Sequence, residues 1–227
     1  PLPIIADVRH PGAPSRPDIP GMLGEWPCAA LADEIESGSI RAVINLGGAM
    51  LRSFPERDRL ARALSHLDVL ASFEIIANDT TALSTHILPT KGQLERPDLS
   101  LWDMLSSRVS AAYTPAILPV RGDRRSAWWI LSSLMRRMGY TVDADIPTNA
   151  DTADADIHVL RRLCSHARQG FDMIADKGYI EHPLEFPAPW VDTHIAHFGG
   201  WRLAPDDVVA QMQGLASPQP DCLRLIP

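Results

Sequence analysis

The 227-residue chain has few cysteines and none of the long apolar runs that mark a membrane span. Its three cysteines, Cys28, Cys164 and Cys222, are odd in number and widely spaced, which fits neither a disulfide framework nor a zinc or iron–sulfur site. Isolated thiols are typical of a reducing compartment, so we expect a cytoplasmic protein. No stretch approaches the roughly 20 apolar residues of a spanning helix, so we expect no membrane segment.

An excess of positive charge is also absent. Lysine and arginine number 21 against 28 acidic residues, which gives a net charge of −7. A chain that is acidic overall lacks the broad basic surface that binds a nucleic-acid backbone, so we expect no nucleic-acid partner. A local basic site for one phosphorylated ligand remains compatible with this charge.

Proline, by contrast, is abundant, at 20 of 227 residues. We predict an irregular proline-rich lead-in at 1–27, an α/β domain at 28–142, and a helical, loop-rich extension at 143–227 that completes the domain. The chain begins with Pro1 instead of methionine and ends at Pro227 without a polar tail, and we expect it to be a piece of a longer protein.

Short β-rich segments alternate with helical ones through the middle of the chain. Strands are expected at 40–46, 68–74 and 86–89, and a fourth extended segment at 116–120. The spacing allows a helix between consecutive strands, which favours parallel pairing through right-handed crossovers. We therefore predict an α/β protein with a Rossmann-like, doubly wound, mostly parallel sheet and helices on both faces.

Several helix boundaries are marked by particular residues. Pro27 is placed to open a helix and Gly38 to end it. Residues 53–56 read Ser-Phe-Pro-Glu, the spacing of a capping box, and Asn78 is placed to cap a short helix. Leu60, Ala63, Leu64 and Leu67 form an apolar stripe at helical spacing. Further helices are predicted at 126–138, 155–176 (broken near Gly170) and 206–214. A closing strand is predicted at 222–226.

The tips of the first two strands carry the residues best suited to a ligand, because ligands bind beyond the carboxyl ends of an open parallel sheet. Asn45 is followed by Gly47 and Gly48, whose missing side chains allow a close backbone approach. Glu74 ends the second strand, with Asn78 beyond it, and a carboxylate there suits a ribose or the N1 and N2 donors of guanine. A glycine turn with no ligand fits equally well, since neither G-x-G-x-x-G nor a Walker lysine is present.

Other reactive side chains do not form a site. His194 and His197 lie in a proline- and glycine-rich segment without a third ligand, and we interpret them as surface histidines. Ser72 and Ser84 have no histidine base, which argues against serine hydrolysis. We therefore predict no metal ligand and no catalytic residue in this chain.

Taken in order, these segments resemble the molybdopterin oxidoreductase family of formate dehydrogenases, nitrate reductases and dimethyl sulfoxide reductases. Residues 44–55 resemble its G-x-N-P…P-D pattern, and residues 74–89 its D-x-x-x-[TN]-E-T…L-P pattern. Residues 94–96 match its L-E-[RK]. The resemblance covers about residues 20–140 well and the rest loosely, and suggests an internal fragment of the large subunit.

The resemblance implies a role in holding a cofactor. The family binds molybdenum or tungsten through two molybdopterin guanine dinucleotides, and this segment resembles the later half of the Rossmann-like domain that holds one guanosine arm. Glu74 stands where the family has the aspartate that recognises the nucleoside, and Arg96 where a basic residue lies near the cofactor. The implied cofactor-binding residues are Asn45, Gly47, Gly48, Glu74, Asn78 and Arg96.

The sequence also departs from the family pattern. Gly48 and Ala49 replace its Asn-Pro, Glu74 replaces its aspartate, and Ser84-Thr85 replace its Ala-Asp. The family's iron–sulfur cysteines, metal ligand and carboxyl-terminal β-barrel domain have no counterpart in the chain. The resemblance therefore implies partners in the remaining domains of a parent chain, the amino-terminal iron–sulfur domain and the β-barrel domain, and a fragment that is not catalytic and lacks the cofactor when isolated.

Two other interpretations stay open. The first is a non-catalytic scaffold of the same fold, as in the large subunit of respiratory NADH dehydrogenase. The second is an unrelated Rossmann-type module that binds a nucleotide by itself.

Overall fold

A computed structural model gives the architecture of two compact units, Pro1–Pro183 and Leu184–Pro227. The structure describes residues 9–22, 24–100, 108–143, 145–147, 149–167, 169–183, 196–197, 199 and 206–215. In the second unit it describes the helix Asp206–Leu215, where the sequence predicts a helix at 206–214. The predicted strand at 222–226 lies outside the described residues.

Hydrogen bonds connect the proline-rich lead-in to the first helix. Strand β1 (Arg9–His10) pairs antiparallel with β2 (Gly21–Met22), a ladder that the sequence did not predict. A short 3₁₀ turn then leads into α1 (Leu31–Glu36). The buried carboxylate of Glu34 on α1 accepts hydrogen bonds from the backbone and hydroxyl groups of Ser15, so the irregular segment is held in place.

Three parallel strands form the centre of the fold, in the order β3-β4-β5, and confirm the predicted Rossmann-like α/β class. Their residues alternate between two faces of the sheet. Short helices occupy both connections, as the spacing of the strands predicts. The elements are β3 (Ala42–Leu46), α2 (Met50–Ser53), α3 (Arg57–Leu64), β4 (Val69–Glu74), α4 (Asp79–Leu83) and β5 (His86–Pro89).

Helices α1 to α3 pack their apolar residues against one face of this sheet. Leu60, Ala63 and Leu64 on α3 are buried against Leu70 of β4, as the apolar stripe in the sequence predicts. Burying one such leucine stabilises the fold by about 1.5–3 kcal/mol. The full cluster is Ala32, Ile35, Met50, Leu51, Leu60, Ala63, Leu64, Leu67 and Leu70.

The capping box predicted at residues 53–56 is wrong. Ser53 ends α2, and its hydroxyl donates to the carbonyl of Ala49 at 3.2 Å. Pro55 disfavours a helical backbone at Phe54, which is extended, and the helix therefore stops there. Glu56 is the residue before α3, with a left-handed φ of 54° and no side-chain cap.

A second, antiparallel sheet follows, and the sequence did not predict it. Its strands are β6 (Asp98–Leu99), β7 (Arg108–Thr114) and β8 (Tyr179–Pro183), in that order. The extended segment predicted at 116–120 is not a strand, because β7 ends at Thr114 and the amides of Ile117 and Leu118 both donate to the single carbonyl of Leu94 instead of to a strand ladder. A separate core of Leu99, Phe171 and Ile174 lies against this sheet.

The predicted helices after residue 125 are present. Helix α5 (Ala127–Arg137) is followed by Gly139 at a φ of 86°. Helices α6 (Ala153–Leu163) and α7 (Phe171–Lys177) are separated at Gly170, as expected, and the Asp206–Leu215 helix is α8. Among the helices of the described residues, none has the length and apolarity to cross a membrane.

Candidate functional site

The turn after β3 exposes its backbone at the carboxyl edge of the sheet. Gly47 and Gly48 have φ values of 79° and 86°, in the left-handed region that glycine adopts without strain. The buried Asn45 fixes the turn by donating from its Nδ2 to the Gly48 carbonyl at 3.0 Å. A β-carbon on Gly48 would meet no atom within 4 Å, so glycine is needed here for its conformation and leaves open space above the turn.

Glu74 lies at the tip of the neighbouring strand and is only 9% exposed. Its Oε1 accepts a hydrogen bond from Nδ2 of Asn78 at 3.0 Å, and its Oε2 accepts from the amide of Ile75 at 3.3 Å. A carboxylate has about four acceptor positions, so two remain for further donors.

Asn78 holds this carboxylate in place. Its Oδ1 accepts from the amides of Thr80 and Thr81 at 2.9 and 3.1 Å, which caps α4. The Thr81 hydroxyl in turn accepts from the Asn78 amide at 2.8 Å. With its oxygen committed to the helix, the side chain directs its nitrogen towards Glu74. The predicted cap is therefore confirmed, and it also orients the acid.

The two strand tips lie side by side. Leu46 pairs in register with Phe73, so Gly47 and Glu74 follow on adjacent strands that are about 4.8 Å apart. The amide of Leu51 donates to the hydroxyl of the buried Thr80 at 3.4 Å, which joins the segments that follow the two strands.

Two arginines that the sequence analysis missed stand at the same edge. Arg52 and Arg57 contact the two oxygens of Asp79 at 3.2 and 3.0 Å. The hydrogen bond from Arg52, together with the nearby positive charges, holds the pKa of Asp79 below its ordinary value. Both guanidinium groups are exposed, and the group of Arg52, Arg57 and Asp79 carries one net positive charge. The sequence feature that could have indicated them is the presence of two arginines in the segment that follows the glycine turn.

Arg96 belongs to a different cluster. It pairs with Asp98 at 2.8 Å and borders a cavity of about 230 Å³ that Trp128 and Leu160 also line. Of the six residues singled out in the sequence, Asn45, Gly47, Gly48, Glu74 and Asn78 therefore share the edge of the parallel sheet, and Arg96 does not contact them.

A buried ionic cluster just beyond β5 was not predicted. The Nζ of Lys91 contacts Asp151 at 2.7 Å and Asp156 at 2.9 Å. Ser126 and Trp128 donate to the same carboxylates. Burial alone would raise the pKa of Asp151, but the hydrogen bonds from Lys91 and Ser126 outweigh it, and the pKa lies below its ordinary value. The cluster ties the end of the parallel sheet to α6.

The Glu95 of the L-E-R segment is also structural. Its carboxylate accepts from the Gly92 amide at 2.9 Å, from Arg124 at 2.8 Å and from the Arg121 amide at 3.3 Å. The Gly92 hydrogen bond, followed by that of Arg124, lowers the pKa of Glu95. Glu95 thus connects the loop that contains Gly92 to the loop that contains Arg121 and Arg124.

The other candidate reactive side chains in the sequence are two serines and two histidines. The hydroxyls of Ser72 and Ser84 lie 2.7 Å apart and hydrogen-bond to each other. Within the described part of the chain, no group of three or more His, Cys, Asp or Glu side chains is arranged to hold a metal ion. His194 lies outside the described residues.

The fold and this edge define an α/β segment with polar side chains and a glycine turn at the carboxyl edge of its parallel sheet. The chain is similar to parts of known oxidoreductases. It is 23% identical over 160 residues to the probable oxidoreductase YyaE of Bacillus subtilis, covering 68% of this chain and 22% of that protein. It is 28% identical over 108 residues to the NADPH-Fe(3+) oxidoreductase subunit alpha of Geobacter sulfurreducens, covering 48% and 12%.

A nitrate reductase of Shewanella frigidimarina is 24% identical over 109 residues, covering 48% of this chain and 11% of that protein. No family model matches the chain. The chain thus spans about a fifth or less of the length of the curated relatives it matches. These similarities identify an oxidoreductase-related segment.

Proposed function

We propose that the carboxyl edge of the parallel sheet holds the guanosine arm of a molybdopterin guanine dinucleotide in a larger molybdenum- or tungsten-dependent oxidoreductase. The observation that carries the proposal is the meeting of the Gly47–Gly48 turn with the Glu74–Asn78 pair on neighbouring strands. The oxidoreductase names of the similar proteins agree with such a parent.

The donor and acceptor groups at this edge fit the proposed ligand. Guanine presents N1–H and N2–H donors, and Glu74 retains acceptor positions after binding Asn78. The glycine turn allows the cofactor backbone to approach closely. Arg52 and Arg57 supply positive charge, and arginine suits phosphate oxygens because its donors form a rigid fork.

In this proposal the chain contributes binding and orientation, and the metal of the bound cofactor supplies the redox chemistry. Asn45 contributes by shaping the glycine turn. Arg96, which lies apart, is assigned to a portion of the cofactor away from the guanosine. The partners are the remaining domains of the parent chain, the iron–sulfur and β-barrel domains.

The test replaces the acid in the full-length parent protein. We expect Glu74→Ala to lower both the molybdenum or tungsten content and the GMP released by acid hydrolysis, each at least tenfold, because the guanine loses its acceptor. Glu25→Ala removes an exposed carboxylate outside the edge and serves as the matched control. Full metal and GMP content in Glu74→Ala protein would overturn the proposal.

One observation favours the scaffold alternative. Glu74 already has two internal donors, Asn78 and the amide of Ile75, so the edge is stable without a ligand. In that case the unmodified parent protein would contain neither molybdenum nor tungsten and release no GMP. The same measurements on the unmodified protein therefore decide between the two functions.

A further inference from the structure

Two arginines bracket a single carboxylate at the start of α4. Nη2 of Arg52 lies 3.2 Å from Oδ1 of Asp79, and Nη2 of Arg57 lies 3.0 Å from Oδ2. Because each guanidinium group contacts a different oxygen, the carboxylate lies between the two arginines. An anionic group that contacts both arginines in this arrangement occupies the position that Asp79 now holds.

These three side chains are accessible to a ligand. The side chains of Arg52 and Arg57 are 68% and 62% exposed, and that of Asp79 is 33% exposed. Exposed ion pairs contribute little to the stability of a fold, because water also solvates the separated charges well. A ligand phosphate can therefore replace the Asp79 carboxylate at small cost to the structure.

Hydrogen bonds join this cluster to the residues proposed to bind the nucleoside. Asn78, the residue before Asp79, donates to Glu74 at 3.0 Å. Thr80, the residue after Asp79, accepts from the amide of Leu51 in α2 at 3.4 Å. Three consecutive residues therefore contact the acid at the tip of β4, the two arginines, and the helix that follows the glycine turn.

Asp79 is ionised in neutral solution. The hydrogen bond from Arg52 and the positive charges of Arg52 and Arg57 hold the pKa of Asp79 below its ordinary value. Among the described residues, no other acid forms an ion pair with either arginine. A free anion that approaches the arginines therefore meets a carboxylate tethered beside them, and a tethered group competes at a high effective concentration.

We propose that Asp79 is an internal competitor for phosphate that keeps free anions away from Arg52 and Arg57. The carboxylate lowers the affinity of the two arginines for every anion that must replace it. A small free anion gains only the contacts with the arginines and therefore binds weakly. A nucleoside diphosphate also gains contacts between its base and Glu74, which compensate for the loss of the Asp79 contact. That the ligand is a nucleoside diphosphate rests on the proposed function.

The test titrates the full-length parent protein, produced in a host that makes no molybdopterin, with inorganic pyrophosphate by calorimetry. We expect Asp79→Asn to bind pyrophosphate at least tenfold more tightly than the unmodified protein, because the competing charge is lost. Asp79→Ser also lacks the charge and should show the same gain, whereas Asp79→Glu keeps the charge and should stay within threefold of the unmodified protein. Urea denaturation checks that each variant is folded.

Asp68→Asn is the matched control for the change in net charge. Asp68 is exposed and pairs with Arg41 at 2.5 Å, and it lies just before β4, at the opposite edge of the parallel sheet. Its replacement should leave the pyrophosphate affinity unchanged. In a protein that carries both Arg52→Gln and Arg57→Gln, Asp79→Asn should also have no effect, because Asp79 acts through the two arginines.

Equal or weaker binding of pyrophosphate by Asp79→Asn and Asp79→Ser would overturn the proposal, and weaker binding would show that Asp79 holds the arginines in place for the ligand. An equal gain in Asp68→Asn, or in the protein without the two arginines, would overturn it as well. The metal and GMP contents of the unmodified parent are independent of this titration. Failure of the proposed function is therefore distinguishable from failure of the competition by Asp79.

Discussion

At the scale of single residues, Asn78 joins local structure to the candidate site. Its oxygen caps α4 and its nitrogen holds Glu74. The sequence predicts the cap, because Asn before Asp-Thr-Thr is a local pattern. It does not predict the contact with Glu74, because the direction of a side chain depends on the turn between the strand and the helix.

The two roles of Asn78 can be separated by substitution. We expect Asn78→Ala to lower the free energy of unfolding by about 1 kcal/mol, the usual cost of a lost cap, as measured by urea denaturation. Asn78→Ser retains a cap and should retain most of that stability. Both variants should reduce GMP content in the parent protein, because neither donates to Glu74. Normal GMP content in both would contradict a positioning role for Asn78.

The glycine turn offers a second test at this scale. Gly48→Ala should cost about 1–2 kcal/mol in unfolding free energy, because its φ of 86° is unfavourable for a residue with a β-carbon. Gly92→Ala is the control, since its β-carbon would make only an ordinary contact, at 3.5 Å from Glu95. Equal stability of the two variants would show that the turn tolerates a side chain.

At the scale of elements, a strand or helix could be predicted from the sequence when the residues that stabilise it are close to it along the chain. Strands β3, β4 and β5 and helix α3 were predictable, because their apolar patterns and neighbours are close in sequence. The prediction of a capping box at 53–56 was wrong because Pro55 favours an extended backbone at Phe54. Strand β7 was missed because its partner β8 begins at Tyr179, far along the chain.

Asp151, which lies just before α6, provides a pH-dependent prediction. The folded pKa of Asp151 is below its ordinary value of about 3.9, so Asp151 stabilises the folded state above that pH and the contribution is lost as the pH falls through the folded pKa. We expect the free energy of unfolding to fall less steeply below about pH 4 in Asp151→Asn than in the unmodified protein. Urea denaturation as a function of pH measures both slopes.

Asp123→Asn, at an exposed loop position, serves as the control for that experiment. It should leave the acid limb of the stability curve close to that of the unmodified protein. If Asp151→Asn and Asp123→Asn gave the same slopes, the buried cluster would not be the source of the acid sensitivity.

At the scale of the whole first unit, the buried cluster around Lys91 joins two cores. Lys91 follows β5 of the parallel sheet, and Asp156 lies on α6, whose Ile157 and Leu160 pack against the core of the antiparallel sheet. Its members are up to 65 residues apart, and no local pattern in the sequence brings them together. The junction between the two sheets therefore could not be predicted from the sequence.

Lys91→Met tests this junction. Removing the only cation that contacts Asp151 and Asp156 within the described residues leaves two buried carboxylates uncompensated, and we expect a loss of about 3–5 kcal/mol in unfolding free energy. Calorimetry should also show two transitions if the cores separate. Lys177→Met, at the end of α7, is a control for the loss of a lysine. A single transition at the original temperature would contradict the role of the cluster.

The spacing of the strands also sets an order of assembly during synthesis. The parallel pairs join residues close in sequence, so this sheet can form soon after residue 90 has left the ribosome. Strand β7 must wait for its partner, because Ala112 pairs with Tyr179. Contacts between distant residues form slowly, and amino-terminal parts of a chain generally fold first. We therefore expect the edge with Glu74 and the glycine turn to form before the antiparallel sheet is complete.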